Sequence, residues 1–298
     1  MRAWDCRRPT TASTPEPPPL ELALKTLWGA SRWPGFADST VCLSPPGWQD
    51  TERRLHQLVA VRASGLLHGP HGVGKSFLLH RWRQALSPKQ YRCLRLSHST
   101  LMGSDLLRQF VALGGKAPLF RRGDNVLALA ALWQEWAPLW PVLIVEEAQD
   151  LNTTALEELR LLTTARADTQ SPFSLLLAGD EDLLPRLDLG VNRALLSRLG
   201  FCLRLARWPS EALATYLHER LAEVGIHVSP FEPAAEALLL QSAQGAPRTL
   251  NALLQRSLEA AATAQRRQVT RTDVAAALDT VPWIAREPAG AAKPGLNP

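Results

Sequence analysis

Residues 69–76, Gly-Pro-His-Gly-Val-Gly-Lys-Ser, constrain the fold of this chain more than any other feature. They follow a short apolar run at 65–68 and precede the helical pattern of Leu78, Leu79 and Trp82. Glycines in such a loop let successive backbone N–H groups turn toward one anion, and the start of the helix adds partial positive charge. A strand, a glycine-rich loop and a helix in this order predict a phosphate-binding loop in an α/β protein.

The residue types in this loop assign roles to its members. Lys75 is expected to reach the β and γ phosphates of ATP, and the Ser76 hydroxyl is expected to bind Mg²⁺, which requires oxygen ligands shared with those phosphates. The predicted cofactors are therefore ATP and Mg²⁺. The loop residues predicted to bind the nucleotide are Gly69, Pro70, His71, Gly72, Val73, Gly74, Lys75, Ser76 and Phe77.

A second motif, Val-Leu-Ile-Val-Glu-Glu at 142–147, is an apolar strand that ends in two carboxylates. Ligands of parallel sheets collect at the carboxyl ends of the strands. Glu146 is therefore predicted to hold Mg²⁺ through water, and Glu147 is predicted to polarise the attacking water. Together with the phosphate-binding loop, this interpretation is favoured over a strand that merely runs into an acidic, solvated helix.

Short apolar runs alternate with helical patterns as far as Trp208, and only helical patterns follow. This alternation is typical of a mainly parallel, doubly wound sheet. The strands are predicted at 65–68, 91–96, 142–145, 173–178 and 201–205, and the later helices at 211–224, 232–243, 248–264 and 271–278. Capping boxes are predicted from Thr154 to Glu157 and from Thr270 to Asp273.

At 298 residues the chain can hold an α/β core and a smaller appended domain. The predicted division is a disordered Pro-rich leader at 1–20, an N-terminal extension at 21–48, the core at 49–205, a helical lid at 206–284 and a flexible tail at 285–298. A hydrophobic fraction of 46% and a charged fraction of 20% argue against wholesale disorder and against a membrane protein.

Two further observations predict a cytoplasmic protein without a membrane segment. The N-terminus lacks the apolar core of a signal peptide. The most apolar stretch, residues 126–145, is interrupted by Gln134, Glu135, Pro138 and Pro141, so it is expected to be a helix followed by a buried strand rather than a membrane span.

The two motifs resemble those of AAA+ ATPases of the ExeA and TniB group. Residues 69–76 resemble the Walker A motif, and Val-Leu-Ile-Val-Glu-Glu-Ala-Gln at 142–149 resembles a Walker B motif. The resemblance covers residues 49–281 and implies an α/β fold: a P-loop AAA+ core with a parallel five-stranded sheet, followed by an all-helical lid domain. One departure is Glu146, where the family usually has Asp, so hydrolysis is expected to be slow.

The resemblance also implies roles for three residues outside the two motifs. Asp180 occupies the position of the first sensor, where Gln or Asn is more usual. Arg198, in Ala-Leu-Leu-Ser-Arg-Leu, is similar to the arginine that reaches the ATP of a neighbouring subunit, with Arg193 as the competing candidate. Arg248, in Gly-Ala-Pro-Arg-Thr-Leu-Asn, resembles the second sensor. The implied catalytic set is Glu147, Lys75, Arg198 and Asp180.

The same group includes transposon helper ATPases, more distantly related to MuB and TnsC proteins. The function implied is an ATP-dependent regulator that self-associates in a ring or filament on duplex DNA and assists a transposase, with hydrolysis resetting the complex. Residues 63–123 carry ten cations against one acid, Asp105, which suits sequence-independent contacts with phosphates. The candidate DNA contacts are Arg92, Arg95, Arg108, Arg121 and Arg122.

Two alternatives stay open. One is an ExeA-type secretion ATPase. Such proteins carry a membrane segment and a wall-binding region after the lid. Because this sequence stops after the lid, the secretion ATPase is expected less than the transposition helper. The other is a nucleotide-dependent interaction switch that binds ATP with little turnover, for which Glu146 would be the signature.

Overall fold

The structure is a computed structural model, and it describes residues 20–34, 43–97, 103–164, 171–281 and 284. The predicted leader, apart from Leu20, and the predicted tail lie outside the described residues. The described residues divide into two compact units. An α/β unit comprises the described residues within 42–213 and 243–249, and a helical unit comprises those within 1–41, 214–242 and 250–298.

The α/β unit alternates strands and helices along the chain. The strands are β1 (Ser64–His68), β2 (Tyr91–Leu96), β3 (Trp140–Val145), β4 (Ser174–Gly179) and β5 (Leu199–Arg204). The helices are α2 (Trp48–Ala60), α3 (Lys75–Ala85), α4 (Gly103–Leu113), α5 (Arg122–Glu135), α6 (Thr153–Thr163), α7 (Leu183–Asp188) and α8 (Arg193–Leu196), and a single 3₁₀ turn spans Ala148–Asp150.

The five strands form one sheet in the order β2-β3-β4-β1-β5, and all neighbouring strands are parallel. This confirms the predicted parallel five-stranded sheet. Of the three inner strands, β3 and β4 are buried along almost their whole length, which explains why both read as continuous apolar runs. Because the strands are parallel, the residues that follow β1, β3 and β4 meet at one edge of the sheet.

The core that supports this edge is formed by α4, α5 and α6 packed with the sheet strands. The rings of Trp133 and Phe173 lie 5.0 Å apart between their centroids, and Phe110 is fully buried. Each fully buried side chain of this size contributes about 1.5–3 kcal/mol relative to its exposed state. The strand ends that carry the predicted site are therefore attached to a rigid base.

The helical unit includes α1 (Leu20–Trp28) and α12 (Arg271–Thr280), and the division between the units falls within α9 (Ser210–Glu223), α10 (Pro233–Ala243) and α11 (Pro247–Thr263). Helix α1 belongs to this unit through its C-terminal end. The Trp28 Nε1 donates to the Arg267 carbonyl at 2.6 Å, and the Ser31 N–H donates to the Val224 carbonyl at 2.9 Å. The sequence-based division placed α1 in a separate N-terminal extension.

Of the two predicted capping boxes, one is confirmed and one is wrong. The side chains of Thr270 and Asp273 both bond to the opposite backbone N–H, as expected. At α6 the N-cap is Asn152, whose side chain accepts from the Ala155 N–H at 2.8 Å, while the Thr154 hydroxyl donates to the same Asn152 oxygen. Asn is as good an N-cap as Thr, so the residue two positions upstream begins the helix.

Candidate functional site

The loop that links β1 to α3 is built from glycines that tolerate no side chain. A Cβ at Gly69 would lie 2.2 Å from the Leu205 carbonyl oxygen. Gly72 and Gly74 have φ values of 75° and 101°, in the left-handed region that favours glycine. A Cβ at Gly74 would in addition lie 2.8 Å from the ring of Trp48. The loop can therefore turn its backbone N–H groups inward only with glycine at these positions.

An aromatic brace, formed by Trp48, Phe77 and Trp208, holds the outside of this loop. The Trp48 ring lies 5.6 Å from the Trp208 ring, nearly perpendicular to it, and 6.1 Å from the Phe77 ring. The Trp208 Nε1 donates to the Val73 carbonyl at 3.0 Å. Sequence reasoning missed both tryptophans, because they lie far from the loop along the chain and carry no local motif.

Lys75, the first residue of α3, curls back over the loop. Its Nζ donates to the carbonyls of Gly69 at 2.7 Å and Pro70 at 2.9 Å. Burial lowers the pKa of Lys75 below its usual value, the nearby Glu147 and Asp180 carboxylates oppose this, and Arg248 adds to it. The ammonium group is thus already within electrostatic reach of three residues that sequence reasoning assigned to the same site.

The two carboxylates after β3 have different surroundings. Glu146 is 4% exposed, and its side chain forms an ion pair with the Arg95 guanidinium of β2. Glu147 has a left-handed backbone, with φ 50° and ψ 41°, a conformation that a non-glycine residue adopts at a cost. Such local strain is common at functional sites, and here it directs two consecutive carboxylates differently.

Gln149 connects the end of β3 to the end of β4. Its Nε2 donates to a Glu147 carboxylate oxygen at 2.8 Å, and its Oε1 accepts from the Asp180 N–H at 3.2 Å. A Cβ on Gly179 would lie 2.6 Å from that Oε1, so the glycine before Asp180 makes room for the amide. Gln149 lies in the motif that marked the site, yet sequence reasoning gave it no role of its own.

Arg186 of α7 fixes the turn that carries Gln149. Its two terminal nitrogens donate to the carbonyls of Gln149 and Leu151. These are charge-assisted hydrogen bonds to backbone groups, which are stronger than neutral ones. Nothing in the local sequence of Arg186 indicates this role, because the partners lie more than thirty residues away along the chain.

Two residues assigned to the site, one as nucleotide-binding and one as catalytic, contact the loop from other segments. The backbone N–H of Arg248 donates to the Gly72 carbonyl at 3.3 Å, within the α/β unit. A carboxylate oxygen of Asp180 lies 3.2 Å from the His71 Nε2 of the loop. The structure therefore places Lys75, Glu147, Asp180 and Arg248 around one loop.

The donor set fits Mg²⁺ only if phosphate completes it. Within the described ranges no group of three or more His, Cys, Asp or Glu side chains could hold a metal ion by itself. The hydroxyl of Ser76 and the carboxylate of Glu146 are hard oxygen ligands of the kind that Mg²⁺ prefers. A loop that cradles phosphate beside them would supply the remaining oxygens, so the residues present fit a nucleotide bound with Mg²⁺.

A small pocket of about 90 Å³ lies beside the aromatic brace in the α/β unit. It is lined by two chain segments that precede and follow the sheet. Its lining residues are Pro45, Pro46, Gly47, Trp48, Arg204, Leu205, Ala206, Arg207, Trp208 and Pro209. Because Trp48 contacts Gly74 and Leu205 contacts Gly69, the pocket adjoins the phosphate-binding loop.

The two candidate arginines near α8 differ in their surroundings. Arg193 donates through Nε to the backbone carbonyl and the carboxylate of Asp188, at 3.1 and 3.3 Å. Arg198 is exposed, and its side chain forms no hydrogen bond or ion pair with the described residues. The geometry leaves Arg198 the more available of the two for a contact outside the chain.

The candidate DNA contacts also differ. Arg95 is bound to Glu146, Arg122 is bound to Glu158 through two nitrogens, and Arg92 lies over the Trp136 ring at 5.5 Å. Arg108 and Arg121 are exposed, without a side-chain hydrogen bond or ion pair in the described part of the chain. The basic stretch is thus partly neutralised by the protein itself.

No described helix has both the length and the apolar character to cross a membrane.

Residues 60–187 match the model of a family described as an AAA domain. General secretion pathway protein A of Aeromonas hydrophila is 30% identical over 146 residues, which are 49% of this chain and 27% of that protein, so the chain matches about a quarter of that relative's length.

Solved structures resemble the chain over a larger share. The Aeropyrum pernix ORC1 protein in complex with DNA gives a TM-score of 0.65 at 17% identity, over 84% of this chain and 69% of that one. The Aeropyrum pernix ORC2 protein, in ADPNP–ADP complexes, gives 0.59 at 19% identity, over 81% and 70%. With the matched domain, these similarities show an AAA+ fold for the core.

Proposed function

From the premise that residues 60–187 form an AAA domain, we propose that this chain binds ATP with Mg²⁺ and hydrolyses it as a self-associating switch on duplex DNA. The observation that carries the proposal is the convergence of Lys75, Glu147 and Asp180 on one phosphate-binding loop at the carboxyl edge of the sheet. A cationic group, a carboxylate and a polar positioning residue in this arrangement are what phosphoryl transfer to water requires.

Each residue has a part in the proposed reaction. The loop N–H groups and Lys75 hold the β and γ phosphates, and Lys75 exchanges its two carbonyl partners for phosphate oxygens. Glu147 accepts a hydrogen bond from the attacking water, and Gln149 holds that carboxylate in place. Ser76 and Glu146 would hold Mg²⁺, which neutralises phosphate charge when bound.

Arg248 and Arg198 complete the proposed site from two sides. Arg248 is tied to the loop through its backbone, so its side chain can contact phosphate when nucleotide is present. Arg198 is exposed and unengaged by the described residues, which suits an arginine offered to the ATP of a neighbouring subunit. The pocket between residues 45–48 and 204–209 is proposed to receive the nucleoside.

Self-association is tested by mixing two inactive variants. Lys75→Ala removes the phosphate contact of its own site, and Arg198→Ala removes the arginine offered to the neighbour. If Arg198 acts in the neighbouring site, a mixture contains sites with both groups intact, and we expect about a quarter of the wild-type turnover to return. Arg193→Ala is the matched control and should keep wild-type turnover by itself, whereas an inactive Arg193→Ala variant that recovers turnover with Lys75→Ala would move the role to Arg193.

The DNA part of the proposal is supported by the basic stretch and by the fold. The chain carries a net charge of +5, and positive groups that contact phosphates bind DNA without reading its sequence. The similar ORC1 protein was solved in complex with DNA. A transposase as the client of the switch rests on the resemblance of the two motifs to transposon helper ATPases.

A secretion ATPase is the second candidate, and the similarity to General secretion pathway protein A favours it. The candidates differ in what should stimulate turnover. We would measure ATP hydrolysis with and without duplex DNA at two salt concentrations, with Lys75→Ala as the blank and Glu147→Gln as the catalytic variant. Stimulation by DNA that fades with salt is expected.

The other outcomes are equally informative. Hydrolysis that ignores DNA, with no retention of DNA in the presence of ATP, would overturn the DNA part and favour a protein-partner ATPase of the secretion type. If Glu147→Gln changes nothing because the wild type scarcely turns over, the chain is a nucleotide-binding interaction switch.

A further inference from the structure

We infer that Arg95 gates the Mg²⁺ site by occupying the metal-side carboxylate of Glu146, so that metal binding must first break this ion pair. The inference rests on the proposed function, because it concerns the same nucleotide site. It adds a residue from β2, a strand that contributes nothing to the two motifs, and it gives that residue a regulatory role.

The backbone places these two residues side by side. Strands β2 and β3 are parallel neighbours, with Arg95 opposite Ile144 and Leu96 opposite Val145. The Glu146 N–H continues the ladder by donating to the Leu96 carbonyl at 2.9 Å. The position of Glu146 is thus fixed by the sheet, and its side chain finds the Arg95 guanidinium within bonding distance.

The burial of the pair makes the contact strong. The side chain of Glu146 is 6% exposed and that of Arg95 is 29% exposed. An ion pair between two solvated groups is worth little, but a carboxylate shielded from water depends on its partner for most of its stabilisation. Mg²⁺ and its water shell would bind the same carboxylate, whose Oε1 the Arg95 Nε already contacts. The two cations therefore compete for one buried carboxylate.

The length of the carboxylate side chain fits this interpretation. Glu146 stands where the family that the motifs resemble usually has Asp, and the additional methylene extends the carboxylate further from the strand. A shorter side chain would withdraw from Arg95. We therefore expect Glu146→Asp to weaken the ion pair while leaving a carboxylate at the end of β3.

The experiment measures binding and does not depend on turnover. A fluorescent non-hydrolysable ATP analogue is titrated onto the full chain at a series of Mg²⁺ concentrations, and the half-saturating Mg²⁺ concentration is read from the fluorescence. Arg95→Gln should lower this concentration roughly three- to tenfold, the range set by losing one partly buried ion pair. Lys89→Gln, which removes one exposed charge just before β2, should leave it unchanged.

A double-mutant cycle separates gating from simple charge removal. Glu146→Asp alone should also lower the half-saturating Mg²⁺ concentration, and adding Arg95→Gln to it should have little further effect, because both changes release the same contact. Arg95→Lys keeps the positive charge but lacks the planar guanidinium donors. Its half-saturating Mg²⁺ concentration should therefore lie between those of wild type and Arg95→Gln. Thermal unfolding of each variant identifies any that fail to fold. If Arg95→Gln fails to fold, the comparison is made with the conservative variants Arg95→Lys and Glu146→Asp.

The opposite result has a clear meaning. If Arg95→Gln raises the half-saturating Mg²⁺ concentration or leaves it as in Lys89→Gln, Arg95 orients the carboxylate or is only structural, and the gate is overturned. If wild type binds the analogue no better than Lys75→Ala at any Mg²⁺ concentration, the proposed nucleotide site itself is wrong, and the gate is overturned with it.

Discussion

At the scale of single residues, the close approach of two backbones decides what position 69 can hold. The space that a Cβ would need at Gly69 is filled by the Leu205 carbonyl, 2.2 Å away. Gly123, near the start of α5, has no atom within 4 Å of the corresponding point. The same substitution at these two glycines should therefore have opposite consequences.

We expect Gly69→Ala to lower the free energy of unfolding by about 1–3 kcal/mol, because backbone atoms must move to admit the methyl group. It should also weaken nucleotide binding by more than about tenfold, since the displaced segment forms the phosphate cradle. Gly123→Ala should be neutral or stabilising by up to about 1 kcal/mol. Denaturant unfolding and analogue binding check both, and equal effects at the two sites would contradict the argument.

Gln149 acts at the same scale, through the two hydrogen bonds that join Glu147 to the Asp180 backbone. Gln149→Glu preserves the shape of the side chain and its acceptor but removes the Nε2 donor, and it places a second negative charge beside Glu147. We expect turnover to fall by about tenfold or more, because the carboxylate that orients water is no longer held.

Binding of the ATP analogue to Gln149→Glu should fall much less than turnover, because Gln149 makes no hydrogen bond to the loop residues 69–76 and only the added charge opposes the phosphates. Gln134→Glu provides the control for an added charge at another position of the α/β unit, and it should alter neither quantity. Loss of binding in step with turnover would show that Gln149 supports the loop rather than Glu147.

At the scale of elements, the connection from α4 to α5 is organised by one buried amide. Asn125 is 1% exposed, and it bonds to the Leu119 N–H, the Leu119 carbonyl and the Arg121 carbonyl, each at 2.8–2.9 Å. Without this side chain those backbone groups lose their partners. The connection keeps its conformation through a side chain on the helix that it leads into.

Asn125→Ala should therefore destabilise the protein by about 2–3 kcal/mol, since several hydrogen bonds are lost and a partly buried N–H is left unpaired. Leu127→Ala on the same helix changes a side chain that is 70% exposed, and it should stay within about 0.5 kcal/mol of wild type. The comparison is made by chemical denaturation. A similar loss in both variants would mean that truncating any side chain on α5, rather than losing the amide, lowers the stability.

At the scale of the whole molecule, the charges that remain available matter more than the net charge. Ion pairs within the protein engage Arg95 and Arg122, whereas Arg108 and Arg121 are exposed and unengaged by the described residues. If DNA contacts lie on this face, the double variant Arg108→Gln/Arg121→Gln should lower the slope of log affinity against log salt by about two.

A charge-matched control tests whether position matters. Lys25→Gln/Arg267→Gln removes two exposed charges from the helical unit and should leave the slope unchanged. Fluorescence anisotropy with a labelled duplex and a non-hydrolysable ATP analogue measures both slopes. Equal decreases in the two double variants would indicate that only net charge, and no particular surface, governs binding to DNA.

The sequence by itself determined the parts of this protein that local chemistry encodes. Three features predicted a parallel five-stranded sheet, which the structure confirms. They are the glycine pattern of residues 69–76, the apolar strand before Glu146 and Glu147, and the alternation of apolar strand runs with helical patterns along the chain. These features follow from backbone torsions, helix starts and strand burial, which depend on neighbours in the chain. The wrong capping box at Thr154 shows the limit, because a nearby Asn competed for the same role.

Only the tertiary structure decided which distant residues support the site. The Trp48 and Trp208 brace, the Arg186 anchor and the Arg95–Glu146 ion pair join segments dozens of residues apart. An arginine on an exposed surface and an arginine bound to a buried carboxylate have the same appearance in a sequence. What distinguishes them is their tertiary placement. The strand order brings Arg95 of β2 beside β3, whereas Arg108 lies on an exposed position of α4, and strand order and helix packing depend on long-range contacts that no local pattern records.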